Sequence, residues 1–560
     1  LHSFPTRRSS DLWVFRDWLP GADEVYLIGD FNGWSETMHP MHRQGEMGIY
    51  TLFIPGLGSG VLYKYLITTP TGEQIYKADP YANQAEKRPG TASVIADIGS
   101  IKWTDDQWMK KKSAFSQDKA PISIYECHIG SWMRHPHGEN EDGFYNYRYF
   151  AHAIADYLVK MGYTHIELMG IAEHPFDGSW GYQVTGFFAP TSRYGTPDDF
   201  RYLVDRLHQA GIGVILDFVP AHFPKDSFGL AEFDGTPLYE SPDPLRAEYP
   251  EWGTKAFDHG KPEVRSFLIS SAFYWIKEFH IDALRVDAVA AMLYASFSRA
   301  EWRPNMFGGN INLESKDFLK QLNYAVCGQT TGFLIAEDSS VIGGITSDVR
   351  WDGIGFTLKW NMGWMNDVLR YIGHDPVDRK YHHEELTHTA DYAFTENYVL
   401  PLSHDEVVHL KHSLVEKAPG GIEDRLGGLK TLYTYQFTHP GKKLLFMGSE
   451  FAEDREWDEN RDIKWEYASE TWHRDVLLSV RKLLHIYKEH SVLYKDTRDE
   501  RTLEWVNRKD AQRGIMAYIR KNPEDYDGAL LVIMNVTNFF SRFISAVEYA
   551  IQGGVIRFLL

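Results

Sequence analysis

Two cysteines, Cys127 and Cys327, are all that 560 residues contain. They are too few for a disulfide framework and lack the paired spacing of a zinc site, which points to a reducing, cytoplasmic setting. Long apolar runs are missing as well. None approaches the roughly 18 residues needed to cross a bilayer, so no membrane partner is expected. Positive charge is in deficit: Lys and Arg number 58 against 77 Asp and Glu, a formal net charge of -19. Without a basic stripe, nucleic acid is not an expected partner, and the acidity reads as a device for solubility. A glycine-rich phosphate cradle, a nicotinamide fingerprint and zinc-ligand spacing are all absent. No nucleotide-sugar donor, cofactor or metal is therefore implied.

What is present divides the chain. Its length exceeds a single ordinary core, so two or three domains are expected. Residues 1–12, "LHSFPTRRSSDL", fit no protein element and are read as a translated sequencing adapter. From 13 to 105, short alternating runs such as "EVYLIGDFNGW" and "VLYKYLITTPTGE", punctuated by turn residues such as Asn32-Gly33, predict an N-terminal β-sandwich. Residues 106–121 are polar and read as a linker. From 122 to 472 the rhythm becomes strand, loop, helix, strand. Thr196, Pro197 and Asp199 form a helix start, with Phe200, Leu203, Val204 and Leu207 as the apolar stripe. Eight apolar strand candidates separated by helices favour a multidomain α/β chain built on a closed (β/α)8 (TIM) barrel. Residues 473–560 suggest a helix and an incomplete C-terminal β-sandwich; "FFSRFISAVEYAIQGGVIRFLL" lacks strand alternation and is left unassigned.

In such a barrel, chemistry collects at the C-terminal ends of the strands. The third strand carries Asp217 and, shortly after, His222; the fourth carries Arg285 and Asp287; the fifth ends at Glu337; the seventh gives His404 and Asp405. The sixth offers nothing comparable. Arg285 and Asp287 share a face, because strand side chains repeat every two residues, and the guanidinium keeps the carboxylate ionised and oriented. Taken alone, the pair is read equally well as a self-satisfied buried ion pair, and each of the other residues as an ordinary strand-end or loop group. The set is more telling. Four carboxylates, two imidazoles and one guanidinium at one end of separate strands suit glycosidic chemistry.

"DGSWGYQVTGFFAPTSRYGTPDDF", "EWRPNMFGGNINLES", "LSHDEVVH" and "LLFMGSEFAEDREWDE" resemble the α-1,4-glucan branching enzymes of the α-amylase superfamily, and "VYLIGDFNGW" resembles their carbohydrate-binding sandwich module. The resemblance runs from about Trp13 to Arg520. It implies Asp287 as nucleophile, Glu337 as general acid/base and Asp405 as transition-state stabiliser. It further implies that Tyr182 stacks on the sugar and that Asp217, His222, Arg285 and His404 position substrate hydroxyls or the catalytic carboxylates. The implied partner is an α-1,4-glucan, glycogen or amylose, serving as donor and acceptor. Double displacement would set the Asp287 and Glu337 carboxyl groups about 5 Å apart. Leu410 and Glu453 depart from the family pattern, where Gly and Gln are usual. Sugar faces stack on aromatic rings; among 17 Trp, 32 Tyr and 32 Phe, mostly core, Trp34, Trp132 and Trp180 are candidate platforms. A hydrolase of the same superfamily, either debranching or releasing trehalose, is the nearest alternative. A non-catalytic glucan-binding scaffold is the alternative of another class.

Overall fold

A computed structural model describes residues 12–135, 143–536 and 557–558. The adapter-like stretch up to residue 11 and most of the unassigned tail lie outside them. The first described layer is a sandwich of two antiparallel sheets. One pairs Leu12–Trp18 with Ile49–Pro55 and His42–Gln44; the other pairs Glu24–Gly29, Leu62–Thr68, Gln74–Lys77 and Ser93–Val94. Alternation along these strands sends Phe15, Leu27, Tyr63, Tyr65 and Ile67 into the space between the sheets, where all are buried. The sandwich is fastened to the rest of the molecule by specific bonds. Lys77 donates to the carbonyls of Gly229 and Ala231, and the Gly21 amide donates to Asp234 at 2.7 Å.

Eight parallel strands close the central barrel in chain order: β1 Ser123–His128, β2 His165–Met169, β3 Gly213–Phe218, β4 Ala283–Val286, β5 Phe333–Ala336, β6 Leu358–Trp360, β7 Tyr398–Leu402 and β8 Lys442–Phe446. The eight strand candidates read from sequence are these eight. Helices return the chain between them. Thr196 accepts from the Asp199 amide while Asp199 accepts from the Thr196 amide, a capping box that starts the helix Pro197–Gln209. Phe200, Leu203, Val204 and Leu207 of that helix are wholly buried. Gly162, at φ 99°, ends the helix Tyr147–Met161 in the left-handed conformation that a side chain resists.

The stretch read as a linker is more than one. It holds the helix Asp106–Ser113, docked under the barrel floor. Trp108 stacks on His208 at 5.1 Å, and Lys112 pairs with the buried Asp282 at 3.1 Å. Its composition is polar because its partners are charged, which is why apolar periodicity did not reveal it. After the barrel come the helix Thr471–Glu489 and a sheet of Leu503–Asp510, Ile515–Arg520, Leu530–Asn535 and Arg557–Phe558. Of the expected C-terminal sandwich, the described residues give this one sheet. Both cysteines are free, and among the described residues no helix is long and apolar enough to cross a membrane.

Candidate active site

Strand register explains why charges meet here. Asp217 and Arg285 are Cα partners on β3 and β4, so their side chains leave the sheet side by side. The Arg285 guanidinium donates to Asp287 at 2.7 Å and lies 3.7 Å from Asp217. It is almost fully buried and sits over the Trp360 ring at 4.5 Å. That ring is at the end of β6, the strand that seemed to offer nothing; its contribution is a π face beneath a cation, not an ionisable group.

The carboxylates differ in environment. Burial pushes Asp287 up to about 6; Arg285 pulls it back, and repulsion from Asp217 and Asp405 adds to the rise. Burial likewise raises Glu337, directly after β5, to about 7, with Arg285 opposing and both Asp287 and Asp405 adding. The Ala288 amide donates to Glu337 at 2.7 Å, tying the end of β5 to the residue after Asp287. Asp405 moves the other way. Burial would raise it, but the His404 imidazole 3.4 Å away, with Arg285 and Lys411, holds it below the usual range. The three acids therefore stand at different protonation levels in one field. Environments that push carboxyl groups apart in this way separate an acid from a base.

His404 owes its state to a residue that sequence reasoning missed. Glu126, fully buried on β1, accepts from His404 Nδ1 at 2.6 Å, from the His404 amide at 3.1 Å and from the Ser403 hydroxyl at 2.9 Å. Burial alone would lower His404, but Asp405 and Glu126 raise it to about 9, so it is an imidazolium near neutrality. Its Nε2 faces Asp405 and the Tyr182 hydroxyl, each at 3.4 Å, and the Tyr182 hydroxyl donates to Asp217 at 2.6 Å. The Tyr182 ring runs nearly parallel to the His404 ring, 5.7 Å away. Beside Glu126 in register is Glu167 on β2, fully buried, whose two oxygens have no hydrogen-bond partner among the described residues. Burial, with repulsion from Asp217 and Glu126, drives it far toward the neutral acid. A carboxylate inside an otherwise apolar strand, as in "SIYECH" and "HIELM", was the signal available for both.

Glu126→Gln is expected to destabilise the protein by about 3 kcal/mol, because it removes the hydrogen-bonded anion from a buried imidazolium and leaves only the longer contact to Asp405. His404 has a folded pKa above its ordinary value of 6.5. The gap between wild type and variant is thus fully present below about pH 6.5 and fades as pH rises through about 9. Denaturant unfolding of both proteins across that range checks the sign.

The structure brings Tyr182, Asp217, Arg285, Asp287, Glu337, His404 and Asp405 into one electrostatically connected group at the C-terminal rim of the barrel. His222 lies on a short strand paired with Thr254–Ala256, with its ring 4.8 Å from Trp252, and burial lowers it to about 4, so it is neutral. Of the three tryptophans, Trp132 is not a platform: it is 3% exposed and packs on Phe150, Tyr157 and Trp465. Trp180 is at the rim against His409 and Trp457, and Trp34 is partly exposed on the sandwich. Leu410 is 87% exposed at φ 64°, between two other left-handed residues, His409 and His412. Glu453 is engaged inside its loop, accepting from the Lys464 amide and from Arg455.

Known families match this arrangement. Residues 4–82 match the model described as carbohydrate-binding module 48 (isoamylase N-terminal domain), and residues 154–233 match the alpha amylase catalytic domain. A 1,4-alpha-glucan branching enzyme, GlgB, of Butyrivibrio fibrisolvens is 52% identical over 528 residues, covering 94% of this chain and 82% of that protein. The chain belongs to the 1,4-alpha-glucan branching enzyme family. The GlgB of Methylococcus capsulatus is 48% identical, covering 94% of this chain and 70% of its own length. Among solved structures, two pullulanases share the fold. That of Bacillus acidopullulyticus has a TM-score of 0.71 at 19% identity, covering 93% of this chain and 67% of its own. That of Paenibacillus barengoltzii, in complex with maltotetraose, has a TM-score of 0.73 at 18% identity, covering 96% and 88%. At such identities these two structures speak for the architecture alone. Membership of the branching family rests on the sequence relatives.

Proposed function

We propose that this chain is a hexosyltransferase of the cytoplasm that cleaves an α-1,4-glucan and transfers the freed segment to a 6-hydroxyl, making α-1,6 branches in glycogen. The observation that carries the reading is the split between the three acids: Glu337 raised to about 7, Asp287 held by Arg285, and Asp405 lowered beside an imidazolium. Glu337 protonates the departing glycosidic oxygen while Asp287 attacks the anomeric carbon. The glycosyl–Asp287 ester forms and the glycosidic C–O bond breaks. Glu337, now ionised, takes the proton of an acceptor 6-hydroxyl, whose oxygen displaces Asp287 with net retention. Asp405 and the His404 imidazolium hold ring hydroxyls, and the Asp405 carboxylate balances the positive charge that develops on the sugar. Tyr182, fixed through Asp217, supplies an aromatic wall. Asp217, Arg285 and His222 position substrate and carboxylates, and the sandwich holds glucan at a distance from the barrel. Glycogen or amylose would serve as both donor and acceptor, and the two free cysteines fit a reducing compartment.

Transfer and hydrolysis share every one of these residues, so the acceptor decides between them. Incubation with amylose, following iodine colour and reducing ends together, separates the two. Branching predicts loss of colour with no matching rise in reducing ends. A rise that tracks the colour loss would make the enzyme a hydrolase.

A further inference from the structure

Away from the barrel mouth, the loop after helix Met362–Ile372 and the helix Arg379–Thr387 face each other. His374 from the loop and His382 and Glu385 from the helix bring one ligand atom each to within 4.8 Å of one another. One carboxylate spans both rings: His374 Nε2 is 3.1 Å from Glu385 Oε2, and His382 Nδ1 is 2.9 Å from Glu385 Oε1. The two imidazoles stack at 3.6 Å with planes 16° apart, so their nitrogen edges lie side by side over the same carboxylate. His382 and Glu385 share a helix face because they are three residues apart.

The frame around this trio is fixed independently of it. Arg379, which is buried, donates to the carbonyls of Ile372 and His374 and, with its remaining Nη, to the carbonyl of Val536 at the end of the C-terminal sheet. The side chain that begins the helix of two candidate ligands therefore clamps the backbone of the third. The trio itself is half-buried, so an ion can reach it from solvent.

We propose that His374, His382 and Glu385 form a binding site for a divalent transition-metal ion of the Zn(II) class. Two imidazole nitrogens and one carboxylate oxygen suit Zn(II), Co(II) or Ni(II), and are poor company for Ca(II) or Mg(II), which take oxygen ligands. In a tetrahedral site with bonds of about 2.1 Å, ligand atoms sit about 3.4 Å apart. The observed separations of 3.1 Å and 2.9 Å run to the two different oxygens of Glu385, while one ligand atom from each residue can be chosen within 4.8 Å of the others. A turn of the Glu385 carboxyl that brings one oxygen between the rings, with a tilt of the two rings out of their stack, would admit the ion, with water as the fourth ligand. The site would join the loop after Met362–Ile372 to the helix Arg379–Thr387, at the seam that Arg379 ties to the C-terminal sheet. Its role would be to stiffen that seam, since an ion bound by the folded state alone raises stability. The ligands come from a loop and the helix after it, outside any zinc-finger or metalloprotease spacing, which is why the sequence pattern did not disclose them.

The test uses the full chain, stripped with chelator and desalted. Zn(II) is titrated in by calorimetry, Co(II) by visible absorption, and Tm is recorded with and without Zn(II). Wild type should bind one equivalent of Zn(II) with a raised Tm and give Co(II) d–d bands of nitrogen and oxygen ligation. His374→Ala and Glu385→Gln should lose the equivalent and the shift, their metal-free Tm showing that they fold. His388→Ala, which removes a neighbouring exposed histidine paired with Asp391, should keep both. Absence of a stoichiometric equivalent in wild type, or its survival in His374→Ala, would overturn the proposal and leave the trio as a hydrogen-bonded staple. The Co(II) spectrum of wild type decides nitrogen ligation even if a variant misfolds.

Discussion

Asp287→Asn should lower kcat by at least about 10⁴-fold on amylose while glucan affinity stays within a few-fold of wild type. The amide keeps the size of the carboxyl group and can still accept from Arg285, so the rim keeps its shape. What it loses is the negative charge that makes the oxygen a nucleophile toward the anomeric carbon. Arg285 would still stand over Trp360 and face Asp217. Affinity electrophoresis in glycogen gels measures binding without turnover and separates the two effects. Unchanged turnover would remove Asp287 from the reaction. A parallel loss of binding and turnover would instead make it a positioning group.

The second large effect is at Glu337. Glu337→Gln should cost about 10² to 10⁴ in kcat on amylose, where the leaving oxygen needs a proton. The pH profile carries more information than the size of the loss. Asp287 has to be ionised, so kcat/KM rises as pH climbs through about 6. Glu337 has to be protonated, so it falls as pH climbs through about 7. Wild type should give a narrow bell between these limbs, each limb belonging to the interacting pair as a whole. In Glu337→Gln the alkaline limb should disappear while the acidic limb remains near pH 6, because Glu337 is already neutral where Asp287 titrates. A variant that keeps the alkaline limb would assign the proton to another group.

How much of this was legible beforehand depends on what each residue answers to. The eight barrel strands stood out because strands buried on both faces read as short apolar runs, and charges at their ends broke the pattern. Asp217, Arg285, Asp287, Glu337, His404 and Asp405 were visible for that reason. Glu126 and Glu167 were hidden by the same logic applied too narrowly: attention to strand ends passed over carboxylates in the middle of β1 and β2. Trp360 was invisible because an aromatic at the end of an apolar strand looks like core until a guanidinium is found above it. The helix Asp106–Ser113 escaped because its hold on the barrel is ionic and aromatic, through Lys112 and Trp108. Trp132 was a plausible sugar platform by type alone; its burial against Trp465 and Phe150 is a tertiary fact with no local signature.

The central claim, covalent attack by Asp287 with Glu337 as proton carrier, is tested most directly by trapping the intermediate in Glu337→Gln with α-maltosyl fluoride. Fluoride departs without a proton, so the first step proceeds, while the second, lacking its base, is slow. Peptide mass spectrometry should find one maltosyl unit on the segment 280–292, with fragmentation placing it on Asp287. An unmodified peptide under conditions that release fluoride, or a maltosyl unit on any other residue, would contradict the account.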